Sequence, residues 1–238
     1  MVINTEINGE IKVNNFIDEL LGPLQTNTIS SFYGSPGTGK STLCFEYVNA
    51  YLKTGKKIIY VDTEGGFSPE RLKQINPDIN LNNIIVISPK TFEDQQKVIS
   101  SLNKQITSAK SIGLVIVDSL VMLYRLKLGD SPKKINSDLG EQLRLLTEIA
   151  RGFNIPVIVT NHMYVDFDTK EKKMTGGNVM EYWSKTILEL DKDDDVKYAC
   201  LKKHKFRPES KRVEFVFENC GLLMKNKTRS FNFFSKEK

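Results

Sequence analysis

Gly34 to Ser41 reads GSPGTGKS, fits G-x-x-x-x-G-K-[ST], and lies between a strand-like apolar run and a segment of helical period. This feature restricts the fold more than any other in the chain. Glycines in such a loop let consecutive N–H groups point into one concavity. The following helix N-terminus adds partial positive charge, so a polyphosphate is held with few side chains. Lys40 is the expected contact to the β and γ phosphates and Ser41 the expected hydroxyl ligand of Mg²⁺. Gly34, Ser35, Pro36, Gly37, Thr38, Gly39 and Thr42 complete the loop. The alternative is a glycine-rich turn without a ligand, and the strand–loop–helix context argues against it.

Short runs rich in β-branched residues recur at Thr28–Tyr33, Lys57–Asp62, Asn83–Ser88, Gly113–Asp118 and Ile155–Thr160. Helical patterns separate them. Phe92–Ala109 carries apolar residues at Val98, Ile99, Leu102 and Ile106, with Thr91 as N-cap. Leu139–Phe153 does the same through Leu143, Leu146, Ile149 and Ala150, and stops before Asn154 and Pro156. Alternation of this kind predicts a mostly parallel sheet covered on both faces. Three further strand-like runs, Thr186–Leu190, Tyr198–Leu201 and Arg212–Phe217, with turns around DKDDD and PESK, predict an antiparallel C-terminal extension. Two polar stretches, Arg125–Ser137 and Met163–Gly177, are expected to be long loops. Residues 1–238 are expected to form a single domain, with one short helix, Asn15–Leu21, before the phosphate loop.

With 39% hydrophobic residues in 238, the chain can bury a sizeable core, which excludes disorder as its main state. No apolar run approaches the roughly 20 residues of a membrane span and the N-terminus has no signal-like pattern, so a cytoplasmic protein is expected. Cys44, Cys200 and Cys220 lack metal-ligand spacing and are expected to be reduced, mostly buried thiols.

A nucleoside triphosphate site also needs a carboxylate for the magnesium shell. LVIVDS, Leu114–Ser119, ends four apolar residues in Asp118, which would emerge at the carboxyl edge of the sheet and hold the metal, through water, with Ser41. A strand-end aspartate that merely caps a turn is the competing reading. Hydrolysis further needs a group to orient or deprotonate water. Glu64, in YVDTEGGFSPERL, stands just past a strand end and can face the γ-phosphate; otherwise it is an exposed loop glutamate.

The series GSPGTGKS, YVDTEGGFSPERL, LVIVDS, PVIVTNHMYV and TGGNVMEYWSK resembles the RecA-type recombinase ATPases over nearly the whole chain. DTEGGFSPERL, TNHMYV and KHKFRPE resemble in particular the small archaeal paralogues of the RadA recombinase. The resemblance implies a RecA-like P-loop core, ATP and Mg²⁺ as ligands, and Glu64 as the catalytic glutamate beside Lys40. It implies that Arg71 lies over the adenine, whereas the residues alone also allow a helix-surface arginine paired with Glu70. It matches Arg125–Ser137 to a first DNA-binding loop, with Lys127, Lys133 and Lys134. Met163–Gly177 matches a second, with Lys170, Lys172 and Lys173. Such loops are also commonly just solvated.

The chain departs from full recombinases in several places. An N-terminal helical DNA-binding domain and a Phe-x-x-Ala linker are not found before Gly34. His162 stands where recombinases have a γ-phosphate-sensing glutamine, and Tyr182 where they have a histidine. The resemblance therefore implies weak ATPase activity little stimulated by DNA, no strand exchange, and an accessory role in homologous recombination and repair. Single-stranded or branched DNA is the implied partner, with RadA, a Holliday-junction nuclease or a DNA polymerase as candidate protein partners. Any oligomer would form without the usual linker. A nucleotide-gated binding switch with incidental hydrolysis is the alternative.

LKKHKFRPESKR, Leu201–Arg212, packs Lys202, Lys203, Lys205 and Arg207 into a short span, and Lys203, Lys205 and Arg207 would share a strand face. The stretch reads as a phosphate-backbone patch for DNA, as a Lys-x-Lys finger reaching a neighbouring subunit's γ-phosphate, or as a solvated edge. Net charge is +5, yet residues 197–238 hold 12 basic against 4 acidic side chains and the rest hold 22 against 25. The positive excess is confined to the C-terminal part.

Overall fold

Parallel strands carrying βα connections need residues that alternate between two buried faces, and the order of elements follows that rule. The computed structural model of the chain describes residues 11–13, 15–109, 111–127, 131–166 and 170–225. The elements are α1 (Phe16–Leu21), β1 (Ile29–Gly34), α2 (Lys40–Leu52), β2 (Lys57–Asp62), α3 (Pro69–Ile75), β3 (Ile84–Ile87), α4 (Phe92–Ala109) and β4 (Ile112–Asp118). They continue through α5 (Met122–Lys127), α6 (Pro132–Phe153), β5 (Val157–Val165), β6 (Lys172–Met174), α7 (Gly177–Trp183), β7 (Ser184–Asp193), β8 (Val196–Lys203), β9 (Val213–Glu218) and β10 (Gly221–Met224). One sheet runs β10-β9-β8-β7-β1-β5-β4-β2-β3, with β6 paired only to β5. From β7 to β3 neighbouring strands are parallel; β8, β9 and β10 extend the sheet antiparallel.

The two faces form separate cores. Ile59, Val61, Val115, Val117, Val157 and Val159 pack with Leu102, Leu139, Leu143 and Leu146 of α4 and α6. Ile58, Tyr60, Leu114, Ile116 and Ile158, the alternate residues of the same strands, pack with Leu43, Tyr47 and Val48 of α2 and with Phe16, Ile17, Leu72 and Phe215. Each fully buried aliphatic side chain contributes about 1.5–3 kcal/mol. Helix starts follow local chemistry. Asn15 Oδ1 accepts from Ile17 N at 2.8 Å and Thr91 Oγ1 from Asp94 N at 3.1 Å. Ser68 Oγ accepts from Arg71 N at 3.1 Å, with Pro69 in the first turn of α3.

Three expectations need correction. Arg125–Ser137 is not one long loop: α5 reaches Lys127, and α6 begins at Pro132, one turn and more ahead of Leu139. Ile135, buried, extends the Leu139–Leu143–Leu146 stripe upstream, so Lys133 and Lys134 belong to a helical first turn. Met163–Gly177 is not one long loop either, because β5 runs on to Val165 and pairs antiparallel with β6, Met163 opposite Met174. Helix α7 then opens at Gly176 (φ 81°) without a side-chain cap, which is why no start signal marked it. In the basic stretch β8 stops at Lys203 and β9 starts at Val213, so Lys203, Lys205 and Arg207 do not share a strand face. Of the cysteines, Cys44 and Cys200 are buried but Cys220 is exposed. The C-terminal Phe231, Phe233 and Phe234 lie outside the described residues. Among the described residues no helix is long and apolar enough to cross a membrane.

Candidate functional site

Parallel register brings the strand ends to one edge. Asp62 lies opposite Asp118 across the β2–β4 ladder, and Gly34 lies opposite His162 across β1–β5. The segment after β1 folds back into α2 around Gly37 (φ 72°) and Gly39 (φ 100°). At Gly39 a Cβ would meet the Phe217 ring at 2.8 Å, so both backbone conformation and close approach require glycine there. A cavity of about 310 Å³ results, lined by the loop residues Pro36 to Thr42 with Glu64, Asp118, His162 and Phe217.

Lys40 is buried, and its ammonium donates to Gly34 O at 3.0 Å and Ser35 O at 2.8 Å. Burial lowers its pKa, while the charges of Asp118, Glu64 and Asp191 act in the opposite direction. Asp118 is held by two hydroxyl donors, Tyr60 at 2.6 Å on Oδ2 and Thr160 on Oδ1. Glu64 is positioned from below by Asp62. The Asp62 carboxylate accepts from the N–H groups of Glu64 (3.2 Å), Gly65 (2.9 Å), Gly66 (3.1 Å) and Phe67 (3.1 Å), and so shapes the turn that carries Glu64. Across the cavity Glu64 Oε1 meets His162 Nε2 at 2.6 Å. Burial raises the Glu64 carboxyl, but the His162 hydrogen bond and the Lys40 charge outweigh it and leave the group below its ordinary range.

The residues present suit a nucleotide with Mg²⁺. One cation faces the loop, the Ser41 hydroxyl and the Asp118 carboxylate face the same cavity, and Gly37 leaves open space where a side chain would stand. Among the described residues no group of three His, Cys, Asp or Glu forms a metal cage.

Arg71 is placed differently. It lies outside the cavity lining, and its guanidinium donates to Glu218 O at 2.8 Å, Asn219 O at 3.3 Å and Gln74 Oε1 at 3.0 Å. Glu70 instead accepts from Ser68 Oγ. Arg71 thus ties α3 to the β9–β10 turn, where β9 delivers Phe217 to the cavity. Sequence reasoning missed Phe217, Asp62 and Asp191. Asp62, a strand-end aspartate just before Gly65 and Gly66, carried a readable turn signal; Phe217 and Asp191 carried none.

The basic residues are less available than their number suggests. Lys127 pairs with Glu93 at 3.0 Å, Lys173 with Asp166 at 2.8 Å and Lys202 with Glu189 at 3.6 Å. Lys172 pairs at 2.5 Å with Asp191, whose side chain is fully buried and whose other oxygen accepts from Ser35 N at 3.4 Å. Lys203 donates to Glu181 O, and Arg207 to Glu19 O, both at 2.5 Å. Lys133, Lys134, Lys170 and Lys205 are exposed and in no ion pair among the described residues. A cavity of about 770 Å³ opens between Tyr33, Tyr164 and the lysines at 172, 173, 202 and 203.

The family model Rad51 matches residues 9–221. The chain belongs to the Rad51 family. Within it, this Rad51-family chain is 37% identical over 234 residues to the DNA repair and recombination protein RadB of Methanobrevibacter smithii, covering 94% of the chain and 99% of the relative. The RadB of Thermococcus onnurineus is 38% identical, with 87% and 93% covered. The crystal structure of the RadB recombinase superposes with a TM-score of 0.75 at 36% identity, covering 90% of this chain and 98% of that one. The fold of this Rad51-family member is therefore RecA-like, a mostly parallel central sheet with an antiparallel extension.

Proposed function

We propose that the chain is an ATP- and DNA-binding accessory protein of homologous recombination and DNA repair, acting as a single RecA-like domain with weak Mg²⁺-dependent ATPase activity. The observation that carries the ATPase reading is the convergence of Lys40, Ser41, Glu64 and Asp118 on one cavity at the carboxyl edge of the sheet. The relatives' names, DNA repair and recombination proteins, support the cellular role. When bound, Mg²⁺ neutralises the polyphosphate and polarises the bond that breaks.

In this reading the loop N–H groups and Lys40 hold the β and γ phosphates, and Ser41 and Asp118 orient the metal shell. Glu64 accepts the proton of the attacking water as the new oxygen–phosphorus bond forms. The β–γ bridging bond breaks, and ADP takes its electron pair. Arg71, held by the carbonyls of Glu218 and Asn219, offers its guanidinium to stack on the adenine ring in this reading. DNA is held through phosphates by exposed lysines such as Lys133, Lys134, Lys170 and Lys205, without strand exchange of its own.

A second reading is a nucleotide-gated switch that contacts RadA, a junction nuclease or a polymerase, with hydrolysis incidental. The ion pairs that occupy Lys127, Lys172, Lys173 and Lys202 favour it, since they reduce the charge free for DNA. Steady-state ATP turnover with and without single-stranded DNA separates the two. Measurable turnover that depends on Mg²⁺ and Lys40 supports the ATPase; tight nucleotide binding with no turnover supports the switch. DNA affinity that stays constant between about 50 and 200 mM salt would overturn the backbone-contact picture.

A further inference from the structure

Only two histidines occur in the chain, and one of them, His162, stands inside the phosphate cavity with 8% of its surface exposed. Its position is fixed on two sides. The backbone is locked by the parallel register with Gly34 and by Thr175 N, which donates to His162 O at 2.9 Å. The ring is locked by the 2.6 Å contact of Nε2 with Glu64 Oε1. An ionised carboxylate has only acceptors, so Nε2 carries the hydrogen in this contact. Glu64 also hangs on the turn shaped by Asp62, so both its backbone and its carboxylate are held.

We propose that His162 is a positioning residue for Glu64: its Nε2–H holds the carboxylate in place for proton transfer. This rests on the ATPase reading above. The bond fixes one carboxylate oxygen, so a side chain that donates from the same place keeps Glu64 oriented, and one that cannot donate leaves the carboxylate free to rotate away. Nucleotide binding does not depend on it, because the loop and Lys40 face the phosphates.

The charged groups around the ring are Glu64 from the β2–α3 turn, Lys40 from α2 and Asp118 from the end of β4, all in the same cavity. Asp191 of β7, paired with Lys172 of β6, adds a carboxylate behind the loop at Ser35. Of these, Glu64 hydrogen-bonds the ring, which makes it the side chain that His162 positions.

The experiment uses the full chain and its His162→Gln and His162→Ala variants, with Mg·ATP turnover and binding of a fluorescent ATP analogue measured separately. His162→Gln, whose amide can still donate to Glu64, retains turnover within about threefold. His162→Ala loses about tenfold while analogue affinity stays within about twofold. A loss in His162→Gln as large as in His162→Ala, or His162→Ala turnover equal to the unmodified chain, overturns the proposal. If the unmodified chain binds the analogue but shows no turnover, the ATPase reading fails by itself. The pairing is then read by the two imidazole proton signals, His162 being the one missing from His162→Gln. In Glu64→Ala, which removes the hydrogen-bond partner, that signal shifts from its place in the unmodified chain; an unchanged signal overturns the pairing.

Discussion

The phosphate cavity and the basic surface are both built from charged residues, and they use charge in opposite ways. In the cavity, Lys40 is buried with two backbone carbonyls as its hydrogen-bond partners, so its charge stays available to a ligand. On the surface, Lys127, Lys172, Lys173 and Lys202 each have a carboxylate partner. The lesson is that a count of lysines measures composition, whereas binding depends on which charges the fold leaves uncompensated. The two regions also touch. Lys172 on the β5–β6 hairpin reaches Asp191, which caps Ser35 at the start of the phosphate loop. Glu46 on α2 accepts from Leu222 N of β10 and from Asn15 Nδ2, tying the C-terminal hairpin to the loop helix.

The largest expected effect lies in the cavity. Lys40→Ala removes the cation that no other side chain there replaces, and Mg·ATP turnover should drop by about a hundredfold or more, measured at saturating nucleotide. Turnover within a few-fold of the unmodified chain would place the chemistry elsewhere.

Next is the link between the regions. Burial pushes the Glu46 carboxyl up to about 7, against the bonds from Leu222 and Asn15. A raised carboxyl means the folded state holds its proton where the unfolded state has released it. Stability is therefore fully present below about pH 4.5 and lost as pH rises toward about 7, by about 3 kcal/mol. Glu46→Gln should flatten that part of the profile in urea unfolding between pH 5 and 8; an unchanged slope would assign the pH dependence to other groups.

The surface prediction is smaller and tests the comparison directly. Lys133→Ala with Lys134→Ala should weaken binding of a single-stranded oligonucleotide about tenfold at low salt. Lys172→Ala with Lys173→Ala should weaken it less than about threefold, because those charges are already paired. Equal losses would show that the ion pairs open at no cost. The smallest effect is expected for Asp191→Asn. It releases Lys172 and should raise oligonucleotide affinity about twofold, with the gain vanishing in higher salt.

How far the chain could be read in advance varied with the range of the interactions involved. β2 and α4 end where their patterns end, because both carry complete local signals, an apolar run bounded by turn residues and a capped amphipathic stripe. The start of α6 was misread because Pro132, Lys133 and Lys134 look like loop residues, while Ile135 alone marks the buried stripe. The β5–β6 pairing was hidden for a different reason: Lys172 and Lys173 look solvated until Asp191 and Asp166 are brought beside them.

By itself, the sequence determined the phosphate loop, the parallel βα order and the candidates Lys40, Ser41, Glu64 and Asp118, because each is encoded in contiguous residues whose backbone and periodicity are local. Tertiary structure alone decided that His162 meets Glu64, that Phe217 closes the cavity against Gly39, that Arg71 grips the β9–β10 turn, and which lysines are neutralised. Those contacts join residues far apart in the chain. They depend on strand register and on the antiparallel extension folding back over α2, information that no local pattern carries.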